Sequence, residues 1–111
     1  MSCIFCKIIS GEIPSPFIYE GDRVVAFQDL NPQSPTHILI VPKSHHENAA
    51  ELAVGDPDAV VEIFKAAEVI AKKRGLEGYR TVFNTGAVAG QSVFHAHLHL
   101  LGGRAFSWPP G

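Results

Sequence analysis

The chain has 111 residues, enough for one domain with a sizeable core and too few for two. Nine Lys and Arg against eleven Asp and Glu give a net charge of −2, so there is no basic excess to hold a nucleic-acid polymer or an anionic membrane surface. With 46% hydrophobic and 18% charged residues the composition is that of a folding globular chain, and six histidines, three of them within residues 95–99, stand out from it.

Ser2 reads as the N-cap of a short helix over residues 3–10, with Gly11 as its stop and Phe5, Ile8 and Ile9 near one face. The breaker Ile13-Pro14-Ser15-Pro16 precedes two strands, residues 17–20 and 23–28, which form a hairpin around Gly21-Asp22. Residues 29–35 are rich in turn formers. Residues 37–42 are mostly apolar and read as a central strand buried on both faces, ended by Pro42.

Over residues 58–74 Val60, Val61, Phe64, Ala67, Ile70 and Ala71 recur at helical spacing with Gly75 behind them, which predicts the one long helix. Two more strands follow at residues 79–85 and 93–101, joined by a Gly-containing loop, before a tail rich in Pro and Gly. The expected fold is α+β over residues 1–111: a five-stranded antiparallel meander, one long helix on one face of it, and a short N-terminal helix. No apolar run reaches the ~20 residues of a bilayer span and the first residues lack a signal-peptide pattern, so a cytoplasmic setting is expected.

His95-Ala96-His97-Leu98-His99-Leu100-Leu101 alternates with period two. A strand here would turn all three imidazoles to one face, ~6.5–7 Å apart along the chain. A solvent-facing strand can carry one histidine without consequence, but Lys, Thr or Glu would serve a wet face as well as three in a row. Such a row suits a metal hydrolase, in which His-x-His ligates zinc, or nucleophilic catalysis by one neutral imidazole. The preceding Gly90-Gln91-Ser92 offers backbone, amide and hydroxyl donors suited to a phosphate, and no acidic partners for metal-bound histidines lie nearby in sequence. Cys3 and Cys6 have the spacing of a shared metal or a redox pair, and His45, His46 and His95 are candidates to complete four zinc ligands.

The sequence resembles the histidine triad (HIT) family, whose signature is His-φ-His-φ-His-φ-φ with φ apolar. The resemblance runs from Cys3-Ile4-Phe5-Cys6-Lys7-Ile8-Ile9 through Phe27-Gln28-Asp29-Leu30, Pro35-Thr36-His37-Ile38-Leu39 and Gly90-Gln91-Ser92-Val93-Phe94 to the triad. The ending Leu101-Gly102-Gly103-Arg104 and Trp108-Pro109-Pro110-Gly111 is similar to the purine nucleoside phosphoramidase branch.

The resemblance implies hydrolysis of adenosine or guanosine 5′-phosphoramidates, with His97 attacking the α-phosphorus to form a nucleotidyl-histidine that water cleaves. It implies that His95 holds His97 through its carbonyl, that His99 donates to a phosphate oxygen, and that His37 supports them. Ser92 with the Gly90 and Gln91 backbone would bind phosphate and assist the departing amine, Asn84 would bond near the phosphate or ribose, and Asp29 would take the ribose hydroxyls. Phe5, Ile8, Ile13 and Leu30 would wall the base, with Val93 beside Ser92, and Trp108 would reach the other active site of a homodimer.

Catalysis would need no cofactor. A structural zinc is implied on Cys3, Cys6, His45 and His95, with His46 the alternative to His45. The neighbouring readings are a dinucleoside polyphosphate hydrolase and a nucleotide-binding or scaffolding module with incidental catalysis.

Overall fold

The computed structural model describes residues 3–111. Its strands are β1 (Tyr19–Glu20), β2 (Val24–Gln28), β3 (Thr36–Pro42), β4 (Tyr79–Val82) and β5 (Leu98–Gly102), and its helices are α1 (Ile4–Ile9), α2 (Ala49–Gly55) and α3 (Pro57–Lys73). They form the five-stranded antiparallel α+β sheet expected, but its spatial order is β1-β2-β3-β5-β4, so the last two strands depart from the expected meander. Helix α3 carries the chain from β3 to the far edge at β4. Since β3 and β4 are parallel, they need a long helical connection, and β5 then returns antiparallel into the gap between them.

All seven residues of β3 are buried because the sheet is covered on both sides. On one face Ile38 and Ile40, with Val24, Ala26, Leu98 and Leu100, meet the Ala59, Ile63, Ala66, Ala67 and Ile70 stripe of α3. The alanines of that stripe let the helix lie close to the sheet. On the other face Val25, Phe27, Leu39 and Val41 pack against Phe5 and Ile8 of α1. At ~1.5–3 kcal/mol for each fully buried large aliphatic, these two layers supply the main favourable term of folding.

Helix α3 begins with Pro57 in its first turn and ends in a Schellman motif: Leu76 N–H donates to Ala71 O (3.0 Å), Gly75 N–H to Lys72 O (3.1 Å), and Gly75 has φ +65°. Helix α2 was not expected. Its signal is a cap, not a periodicity: Asn48 Oδ1 accepts from Glu51 N (2.9 Å), and Leu52 is its one buried side chain. Ser2, expected as the first N-cap, lies outside the described residues; the cap of α1 is Cys3, whose Sγ accepts from Cys6 N at 3.4 Å. Among the described residues no helix is long and apolar enough to cross a membrane.

The strand expected over residues 93–101 begins only at Leu98. The β3/β5 register pairs Ile40 with Leu98; two residues further it would set Ala96 against Pro42, which has no N–H to give. Ala96 N–H bonds instead to His46 O at 2.8 Å, so the chain leaves the sheet just where His95 and His97 stand.

Candidate functional site

Only His99 therefore projects from a strand. It lies opposite Leu39, on the sheet face that α1 covers. His97 and His95 sit on the irregular segment before β5, yet the His97 ring still meets that of His99 while His95 turns to a separate cluster. The His97 and His99 ring centres are 5.0 Å apart, and the Phe5 ring stands edge-on to His97 at 5.0 Å and to His95 at 5.9 Å. Phe5 is held in turn against Phe27 at 5.6 Å. Helix α1 thus puts an aromatic wall beside the histidines.

Hydrogen bonds assign each ring its tautomer. His97 Nδ1–H donates to His95 O (2.8 Å), which leaves the lone pair on Nε2. Gln33 N–H donates to His37 Nδ1 (3.0 Å), so the His37 proton is on Nε2, 2.9 Å from His99 Nδ1. His99 Nδ1 is consequently an acceptor and His99 carries its proton on Nε2. Two adjacent imidazoles thus hold opposite tautomers at Nε2, one a base or nucleophile and the other a donor.

Burial lowers the pKa of His97 more than the His95 carbonyl and the Asp29 carboxylate raise it. Burial, with the nearby His97 and His37, pushes His99 down to about 4. Both are neutral at pH 7.

Asp29, in the loop after β2, reaches the row that sequence distance suggested had no acidic neighbour: its Oδ2 is 3.4 Å from His37 Nε2. Its Oδ1 accepts from Asn31 N at 2.7 Å. Asp29, His37 and His99 place three donor atoms within 4.8 Å of one another, as a divalent cation would require. The tautomers argue against a cation there, because with Gln33 N–H on Nδ1 a neutral His37 has no lone pair at Nε2. The trio is a hydrogen-bonded relay.

The second cluster has the opposite character. His95, fully buried, donates Nε2–H to Pro42 O (2.8 Å) and so turns the Nδ1 lone pair toward Cys3 Sγ (3.5 Å), Cys6 Sγ (3.6 Å) and His45 Nδ1 (3.0 Å). Cys6 Sγ is 3.4 Å from His45 Nδ1. Donors bonded at about 2.0–2.3 Å to one tetrahedral ion stand ~3.3–3.8 Å apart, and two thiols with two imidazoles are a zinc set, so the residues fit that ion. A carbonyl on the far nitrogen of a ligating histidine is the usual orienting contact. His46 is not in the cluster; its ring packs over Gly55 at the end of α2.

The other expected residues are distributed unevenly. Ile8 is buried beside Phe5, with Ile13 and Val93 at the edge of the same cluster, whereas Leu30 is 98% exposed. Gly90, in the left-handed region at φ +101°, ends a 3-10 turn (Ala87–Ala89), a conformation that suits a residue without Cβ, and the Asn84 amide lies 3.9 Å from where a Cβ on Gly90 would be. Ser92 is exposed. The Gln91 amide, read from sequence as a donor facing phosphate, is turned inward and bonded to the protein's own backbone.

Trp108 is 83% exposed, on a tail whose root is held by Phe106, with the Arg80 and Arg104 guanidinium groups 5.0 and 4.2 Å from its ring centre. A surface cavity of about 870 Å³ beside Arg80, Arg104 and Phe106 contains none of the histidines. What sequence reasoning missed is mostly backbone: Gln33 N–H, Pro42 O and His46 O orient the rings or their segment, and main-chain groups carry no residue-type signal.

Comparison with known proteins gives a consistent picture. A family model for the HIT domain matches residues 10–106. The chain is 50% identical to a 14 kDa zinc-binding protein of Zea mays, over 97% of this chain and 87% of that protein. It is 46% identical to the adenylylsulfatase HINT1 of Arabidopsis thaliana, over 97% of this chain and 76% of that protein. The crystal structure of a HIT family hydrolase from Legionella pneumophila superposes with a TM-score of 0.93 at 46% identity, covering 99% of this chain and 100% of that one.

Proposed function

This chain belongs to the HIT domain family, and on that premise we propose that it hydrolyses purine nucleoside 5′-phosphoramidates through a covalent nucleotidyl-histidine on His97. The observation that carries the reading is the pair of opposite tautomers: a free lone pair on His97 Nε2 beside an N–H on His99 Nε2. A nucleophile and a donor to the developing phosphoryl charge are what an in-line displacement at phosphorus needs.

In the first step His97 Nε2 bonds to the α-phosphorus and the P–N bond breaks. The amine leaves neutral, taking a proton relayed from solvent through the Ser92 hydroxyl, and the water that attacks in the second step returns a proton to solvent. His99 and the Ser92 hydroxyl hold the phosphoryl oxygens, whereas the Gly90 and Gln91 N–H groups already donate to Ala87 O (3.0 Å) and Gly86 O (3.1 Å) and are not free to join them. In the second step water adds to phosphorus, the P–N bond to His97 breaks, and the nucleoside monophosphate departs with His97 restored.

Asn84 bonds near the ribose or phosphate and Asp29 accepts from the ribose hydroxyls. Phe5, Ile8, Ile13 and Leu30 flank the base, with Val93 beside them. His95 and His37 orient the reacting rings. The exposed Trp108 is suited to reach the other site of a homodimer, where a buried aromatic would not be. Cys3, Cys6, His45 and His95 bind a structural zinc that ties the N-terminal segment to the histidine segment, and no step of the reaction passes through it.

Replacing His97 with alanine should abolish release of AMP from an adenosine 5′-phosphoramidate; undiminished turnover would overturn the proposal. The name of the Arabidopsis relative favours a second substrate for the same chemistry, an adenylyl sulfate, in which sulfate replaces the amine as leaving group. Parallel kcat/KM values for the two substrates decide between them.

A further inference from the structure

Gln91 is 4% exposed and its side-chain amide is committed on both ends. Oε1 accepts from Gly86 N (2.8 Å), while Nε2 donates to Glu47 O (2.6 Å) and to Val93 O (3.1 Å). Both amide hydrogens are used, so no donor is left for a substrate oxygen. Gly86 and Val93 belong to Gln91's own β4–β5 connection, toward its start and just ahead of the histidines, while Glu47 lies in the loop before α2 and ties that connection to a distant part of the chain.

Gln91 also donates its own N–H to Gly86 O (3.1 Å), so the 86–91 loop is closed twice by one residue. That loop holds Gly90 and runs straight into Ser92. On its far side the same stretch is fixed by Ala96 N–H to His46 O and His95 Nε2–H to Pro42 O, both 2.8 Å. Residues 91–97 have no partner strand, and their conformation is set by these bonds to residues 42–47.

We propose that the Gln91 side chain is a positioning residue: it pins the segment carrying Ser92, His95 and His97 to the loop before α2 and makes no contact with the substrate. The inference deepens the phosphoramidase reading and rests on it for its kinetic consequence, but its structural consequence is independent.

Gln91→Glu is isosteric and keeps the acceptor toward Gly86 N–H, yet sets a carboxylate oxygen against the Glu47 and Val93 carbonyls. Like partial charges at these distances expel the side chain or the loop. The proposal expects kcat for an adenosine 5′-phosphoramidate to fall at least tenfold with KM changed less than threefold, because the nucleophile and Ser92 are displaced while the base and ribose contacts remain.

Amide hydrogen exchange gives a readout that needs no turnover: protection at Gly86 and Ala96 should drop in the variant while that of β3 and α3 holds. Gln91→Met, of similar length and without either partner, serves if the glutamate variant does not fold. A rise in KM at constant kcat would mean that the side chain touches substrate and would overturn the proposal, as would unchanged exchange at Gly86 and Ala96. Wild-type protein that turns over no phosphoramidate, with exchange altered as expected in the variant, would refute the proposed function and leave the positioning role standing.

Discussion

Replacing His37 with phenylalanine tests the tautomer relay on which the donor role of His99 depends. The side chain of His37 is 5% exposed, accepts from Gln33 N–H at 3.0 Å and meets His99 Nδ1 at 2.9 Å. Phenylalanine preserves the planar shape and removes both bonds. The Gln33 amide is near solvent and can find water, so the stability cost falls at the low end of the range for unmatched buried groups, ~1–2 kcal/mol.

The effect on chemistry should be larger. With His37 gone, the Asp29 carboxylate, within 4.8 Å of a His99 ring nitrogen, is an acceptor at hand for Nδ1. A carboxylate there draws the proton onto Nδ1 and leaves a lone pair on Nε2, where the phosphoryl oxygen needs a donor. Loss of one such donor is worth about 10²–10³ in kcat, less whatever fraction of the Nε2–H form survives, so a fall of about 10–100-fold is expected. Two-bond nitrogen–proton correlation on the His99 ring reads the tautomer directly, and His37→Gln, whose amide can donate to Nδ1, should restore part of the rate. A His99 ring that stays protonated on Nε2 in His37→Phe, with kcat within twofold of wild type, would refute the relay.

Removal of zinc by a chelator should lower the Tm by about 10–20 °C, the equivalent of a ligand present at 100–1,000 times its Kd, and leave turnover intact below the new transition. Loss of turnover in a chelated but folded protein would give the metal a catalytic part instead. The pH dependence follows from His99, whose pKa is pushed down to about 4 when folded against ~6.5 when unfolded. The unfolded chain then binds the proton first, so the His99 contribution is fully present above pH ~6.5 and is lost as the pH falls toward 4. For a ring partly reached by solvent this is ~1–2 kcal/mol, measurable by denaturant titration at pH 7 and pH 4. A midpoint that does not move would contradict the neutral, buried state of the ring.

The sequence was most legible where one physical signal dominates. The apolar run of β3 and the 3.6-residue stripe of α3 fall within a residue or two of their observed ends, because burial on both sides of the sheet and on one side of the helix leaves no other assignment. The thiols Cys3 and Cys6 with His45, His46 and His95 were legible as zinc candidates from residue type, the set Cys3, Cys6, His45 and His95 came from the family resemblance, and the structure puts His45 and not His46 in the cluster. Helix α2 escaped because seven residues with one buried side chain have no period to detect.

The alternation at residues 95–101 was read as one strand. It is a strand only from Leu98 because the opposite position, Pro42, ends the ladder. The relay escaped for a different reason. Its direction is set by the Gln33 main-chain N–H, and Asp29 joins it at His37, a residue eight positions further along the chain.

The central claim is that His97 becomes covalently bonded to the nucleotide. Intact mass after rapid quenching of a single turnover with an adenosine 5′-phosphoramidate tests it most directly. The account predicts one nucleotidyl adduct per chain, mapping by peptide analysis to His97 and absent from His97→Ala. AMP appearing in the same time window with no adduct, or an adduct on any other residue, would contradict it.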